Sequence, residues 1–223
     1  MSLSTTPAPA RTDAAQGAAP QTVPARTVPT HTAPASTRSV RRAGLAVAGG
    51  TAAWAAGILA FGLNPEEGWQ RLTYDLSSLL FQLGLVALVG VQLRTRATGT
   101  GRLARGFLHA EHLLLGMAIV ATVAWGLVPS QRESALFLAL DAFWPLSMLG
   151  MAAIGVRIAI AGRWQGLARF WPLGAESWAP VVIPAAALLS GVSTYIAAGH
   201  LLLGYAALGL VLARRPELTG TRD

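Results

Sequence analysis

Five stretches of this chain are apolar and close to the length needed to cross a bilayer: Ala43–Leu63, Leu76–Leu93, Phe107–Val128, Ala135–Ala161 and the long run from Leu173 to Ala213. A hydrocarbon core about 30 Å thick takes about 20 helical residues at 1.5 Å each. The last run is too long for one crossing. Pro180 and Pro184 disfavour a regular helix at its start, and "LSGVS" offers a break in its middle. It therefore divides into 173–192 and 194–213. The expectation is an all-α integral membrane protein, a bundle of six transmembrane helices.

Composition points the same way. Of 223 residues 53% are hydrophobic and only 12% charged, with mean hydropathy +0.49. A soluble domain carries about a quarter charged residues. The absence of cysteine removes disulfides, thiolate metal sites and cysteine nucleophiles together. The formal charge of +7 comes from seventeen basic residues, every one an arginine, a usage that fits a GC-rich, bacterial coding sequence. These arginines sit between the apolar runs, as orientation in a membrane requires, so nucleic-acid binding is set aside.

Six spans with a cytoplasmic amino terminus place all but two of the arginines on the inner side. Only Arg71 and Arg132 fall outside, with Glu66, Glu67 and Glu133 beside them. Five spans would move Arg214 and Arg215 to the wrong face. Both termini are therefore expected in the cytoplasm, in a bacterial inner membrane. Residues 1–40, built from Thr, Ala, Pro and Ser, have no apolar period and read as a disordered tail. They lack a signal-peptide core, so the tail is expected to be retained. Residues 216–223 form a second cytoplasmic tail.

Aromatic residues fall at the expected boundaries: Trp69, Tyr74, Trp125 and Tyr195 outside, Trp164, Trp171 and Trp178 inside. They read as an anchoring belt rather than a binding box. The segment "GRWQGLARFWPLG", 162–174, is expected along the inner interface. Gly49, Ala53 and Gly57 form a small-residue face on the first span, for internal packing, a homodimer or another membrane partner. A faint echo links "GVQLRTRATGTGRLARGF" with "GVRIAIAGRWQGLARFW", as a duplicated helix pair would.

Chemistry could sit wherever a charge enters the membrane. "LHAEH" puts His109, Glu111 and His112 at the inner start of the third span, about 6 Å past Phe107 for Glu111. One reading pairs Glu111 with Arg157 on the fourth span; the other lets both reach water. The histidines are three apart and Glu111 points elsewhere, so a shared metal is not expected. His112 and His200 would suit a haem b only across about 13 Å of depth, whereas axial nitrogens on one iron lie about 4 Å apart. The outer half holds Asp75, Asp141, Tyr195 and His200. Asp141 is the most informative, because Pro145 frees its carbonyl from the helix ladder. Its carboxylate is a proton or cation site on one reading and a packing polar group on the other. No nucleophile triad is recognisable, and "GTGRLARG" lacks the lysine and preceding strand of a phosphate loop.

Three function classes follow: small-solute or proton-linked transport, a non-catalytic accessory or structural subunit, and, third, a haem-binding redox subunit. Enzymatic activity is not expected. Transport by so few spans would call for a homodimer.

Overall fold

The computed structural model describes residues 35–128, 130, 134–189 and 191–221. The expected amino-terminal tail lies outside them as far as residue 34; its last residues, from Thr37, already belong to the first helix, where Ser36 caps by accepting from the Ser39 amide. Among the described residues the secondary structure is entirely helical. The helices are α1 (Thr37–Phe61), α2 (Trp69–Arg94), α3 (Arg102–Leu127), α4 (Ala135–Asp141), α5 (Phe143–Ala161), α6 (Gly166–Ala175), α7 (Trp178–Leu188), α8 (Ser193–Leu201) and α9 (Ala207–Arg214). A π turn, Leu202–Ala206, joins α8 to α9, and a 3-10 turn, Pro216–Thr219, follows.

Five segments are long and apolar enough to cross a membrane: α1, α2, α3, the run Ala135–Ala161, and Ser193–Arg214. The chain is a multi-pass helical membrane protein. Its flanks agree, because Leu45, Leu72, Leu80, Leu113, Leu149 and Leu203 are all at least half exposed, a surface suited to lipid and not to water.

The expected fifth span differs. Residues 166–188 form two helices, of ten and eleven residues, separated at Glu176 and Ser177. Neither is long enough to cross alone. Pro180 is the physical reason: it has no N–H to give the carbonyl of Glu176, so the ladder stops there and restarts with Pro180 in the first turn of α7. Ser177 repairs part of the gap by donating its hydroxyl to the Gly174 carbonyl at 2.7 Å. A milder interruption at Ala142 divides α4 from α5, as Pro145 requires.

Small residues set the packing. Without a hydrophobic drive between helices in lipid, close backbone approach has to supply the contact. A Cβ on Gly44 would come 2.5 Å from the Gly209 carbonyl oxygen, and one on Gly209 would come 2.5 Å from that of Gly44. Gly50 meets the Leu80 backbone and Gly84 that of Ala46 and Val47. The order of these contacts makes α1 antiparallel to both α2 and α9. Of the expected Gly49–Ala53–Gly57 face, only Gly57 is a close contact, against Ser77; Gly49 is exposed and Ala53 half-buried. The internal stripe runs instead through Gly44, Val47, Gly50, Trp54 and Ile58.

The arginine-bearing ends gather at one end of the bundle. Arg41 donates to the Ala213 carbonyl, Arg169 to that of Ala159, and Trp164 to the Thr95 hydroxyl. That last bond joins the loops of the two echoing segments. Residues 216–221 pack on the bundle: the Gln165 amide donates to the Leu218 carbonyl, and Pro216 and Thr219 are buried. Arg71 stands at the opposite end, 3.8 Å from Glu67.

Candidate functional site: two buried acids beneath a polar cavity

The three titratable residues of "LHAEH" face three ways. His109 is exposed. His112 is half-buried, with Nδ1 3.0 Å from the Leu108 carbonyl of its own helix, in a cavity shared with α1 and α2. Glu111 turns into the bundle and is 2% exposed. The helix begins at Arg102 rather than Phe107, so Glu111 lies about 14 Å along it and not at its mouth. Its partner is Ser147 of α5, whose hydroxyl donates to Oε1 at 2.8 Å. The expected partner, Arg157, is not bonded to it. That guanidinium reaches Gly99 and lines a separate cavity with Thr98 and Phe107.

A second acid, which sequence reasoning passed over, sits in the same interior. Glu176, at the break between α6 and α7, is wholly buried. The Gln92 side-chain amide donates to its Oε1 at 2.6 Å, while Oε2 has no hydrogen-bond partner among the described residues. Both acids pack where α5 has no side chain. A Cβ on Gly150 would strike Oε2 of Glu111, and one on Gly155 would come 2.9 Å from Oε2 of Glu176. Glu111, Glu176 and the buried Tyr205 lie within electrostatic reach of one another. Among the described residues the Tyr205 hydroxyl also has no hydrogen-bond partner. A signal was available: Glu176 is a lone acid between two apolar, proline-bearing segments. It fell inside the expected fifth span, 173–192, where it was assigned no role.

Above the acids, toward the arginine-poor end, a cavity of about 330 Å³ opens between α1, α2, α3, α4 and α5. Asp75 and Asp141 both line it, so the structure unites two of the four residues expected in the outer half. Asp75 lies two turns into α2, which begins at Trp69 rather than Leu76. The other two are elsewhere. Tyr195 is 69% exposed. His200 lies against Ser177, 3.2 Å from its hydroxyl, in an apolar groove of about 820 Å³ between α6 and the π turn.

Several tryptophans depart from the expected belt. Tyr74 and Trp125 line the polar cavity together with Trp54 and Trp144. Trp164 is wholly buried, and Trp178 is buried against Trp54, ring centroids 5.4 Å apart. Trp171 donates to the carbonyls of Leu203 and Gly204 in the π turn. Trp69 and Tyr195 remain as exposed, boundary-type rings.

Helix α5 is a ruler for the whole arrangement. Measured from Ala161 at the arginine-rich end, Gly155 and the Glu176 carboxylate lie about 9 Å in, and Gly150 with the Glu111 carboxylate about 16 Å. Ser147 follows at about 21 Å and Trp144, in the cavity wall, at about 25 Å. Between cavity and acids the bundle is closed by Phe81, Leu85, Leu115 and Met148, each 1% exposed or less. Phe81 bridges the two regions, in ring contact with Trp54 and Trp144 on one side and Tyr205 on the other.

Among the described residues no three His, Asp or Glu side chains converge as a metal site requires. His112 and His200 face different cavities, with no residue in common. No family model matches this chain, and neither does any curated protein or solved structure.

Proposed function

We propose that this protein is a proton-linked transporter in which Glu111 and Glu176 relay protons between the outer cavity and the arginine-rich end. One observation carries the reading: two carboxyl groups, 2% and 0% exposed, lie in sequence across the bundle, and among the described residues no cation pairs with either. A bare carboxylate at such depth is costly, so each group holds a proton or receives a cation. Neutral donors next to each one, Ser147 and Gln92, stabilise the charged form without trapping it as an arginine would. The cavity with Asp75 and Asp141 supplies entry from the outer side.

The same reading takes α6 and α7 together as a sixth, discontinuous crossing, antiparallel to the run 193–214. In order along the chain, α6 packs on the π turn and α9, and α7 packs on α8, where Ser177 meets His200. Broken helices that carry a polar group at mid-membrane are a recurrent means of building solute sites. Six crossings put both described chain ends at the arginine-rich end, which the positive-inside rule assigns to the cytoplasm. An accessory role would need only packing faces and leaves the two acids without a purpose. A haem between His112 and His200 has no geometry to support it.

The test is proton flux into liposomes containing the full chain and a trapped pH-sensitive dye, under an imposed gradient. The wild type should carry protons faster than empty vesicles, and Glu111→Gln and Glu176→Gln should each reduce the rate at least about tenfold. Equal rates in wild type and both variants would overturn the relay.

A further inference from the structure

The outer cavity carries a chemical signature of its own. Its lining combines four aromatic rings, Trp54, Tyr74, Trp125 and Trp144, with the carboxylates of Asp75 and Asp141. The walls turn corners: Trp54 meets Tyr74 at 70° and Trp144 at 78°, with centroids 6.3 and 5.7 Å away. Gln82 also lines the cavity and is 3% exposed. Its amide nitrogen donates to Thr122 at 2.8 Å, which leaves Oε1 as a buried acceptor with no partner among the described residues.

Each feature narrows the occupant. A buried acceptor without a donor among the described residues, beside the Asp141 carboxylate, calls for a ligand that brings positive charge or hydrogen-bond donors. Among the described lining residues the one cation is Arg71, 3.8 Å from Glu67. Anions are therefore disfavoured. A small inorganic cation is held by a cage of oxygen ligands or keeps its water, and four aromatic rings are poor material for that. Aromatic rings do suit a weakly hydrated cation, whose charge is attracted to their negative faces while its alkyl groups displace water. A volume of about 330 Å³ sets the size at the small end of ligand sites.

We infer that the outer cavity, formed by Trp54, Tyr74, Trp125, Trp144, Asp141 and Gln82, is a binding site for a small organic cation of the alkylammonium class. This names the solute of the proton-linked transport proposed above and rests on that reading for its purpose. The site lies about one helical turn above Ser147 and its bond to Glu111. A cation arriving in the cavity and a proton leaving Glu111 are thereby placed to influence each other through α5.

The experiment uses the full chain in detergent, with tryptophan fluorescence read during titration by choline. Its neutral isostere, 3,3-dimethylbutan-1-ol, and sodium chloride at matched ionic strength serve as controls. Choline should give a saturable change, and the neutral isostere should bind at least about tenfold more weakly. Asp141→Asn and Trp144→Leu should each weaken choline binding at least about tenfold, while Trp144→Phe, which keeps a ring, should restore most of it. Arg157→Gln should leave binding within about twofold, because that residue lines a different cavity. No saturable response would overturn the assignment. So would an equal response to sodium or the neutral isostere, or unchanged binding in both Asp141→Asn and Trp144→Leu. The two proposals separate cleanly. Choline binding without proton flux sinks the relay and keeps the site, whereas proton flux without choline binding sinks the site and keeps the relay.

Discussion

Gly150 and Gly155 matter because a carboxylate occupies the place of each missing side chain. A methyl on Gly155 would come 2.7 Å from the Pro172 carbonyl oxygen as well as 2.9 Å from Glu176, and backbone cannot swing aside as a side-chain tip can. Gly155→Ala should therefore destabilise the protein by about 1–3 kcal/mol, measured as thermal unfolding in detergent. A melting temperature equal to wild type would show that α6 is not seated on α5 as described. The carboxylates were only half legible at this scale. Glu111 was singled out, but its place near the expected span start at Phe107 put it near water, whereas it turns into the bundle and is buried. Its partner was misjudged for a related reason. Charge complementarity suggested Arg157, whereas α3 and α5 cross so that Ser147 comes level with Glu111.

At the scale of elements, the break between α6 and α7 distinguishes this bundle from a set of plain spans. Pro180 and Pro184 were visible, and so was the disfavoured helix start. What they open was not, because a proline breaks the ladder four residues upstream and the residue there happens to be Glu176. Pro180→Ala supplies the missing donor to the Glu176 carbonyl and should fuse the two helices. Hydrogen exchange of the amides from Ser177 to Val181 should then slow by about an order of magnitude. Exchange that stays as fast as in wild type would mean that another constraint holds the break open. The π turn at Leu202–Ala206 had no sequence signature at all. Trp171 donates to the carbonyls of Leu203 and Gly204, a tertiary contact that no local pattern announces.

For the whole molecule, orientation is the property most open to direct measurement. The chain has no cysteine, so single cysteines report without background. Trp69 is 67% exposed at the arginine-poor end, and Leu103 is 79% exposed at the arginine-rich end. In intact cells a membrane-impermeant maleimide should label Trp69→Cys, and it should reach Leu103→Cys only after permeabilisation. The opposite pattern would invert the bundle and turn the polar cavity toward the cytoplasm. The placement of arginine foretold which loops share an end, and hydrogen bonds from Arg41, Arg169 and Trp164 tie several of them together. The aromatic residues were misread at this scale. Position near a span boundary says that a ring can reach the headgroups, but not whether it turns outward to lipid or inward to a cavity.

Apolar run length and the spacing of charge determined, without any coordinates, that the chain is a multi-pass helical membrane protein. Those properties are sums over many residues, and an error of a few positions leaves them standing. Only the tertiary structure decided which polar groups meet. That outcome depends on the rotation of each helix about its axis, where one residue is about 100°, and on its register against neighbours. Gly44 against Gly209 and Gly50 against Leu80 set that rotation and register for α1. Corresponding glycine contacts on α5 bring Glu111 and Glu176 to a common interior.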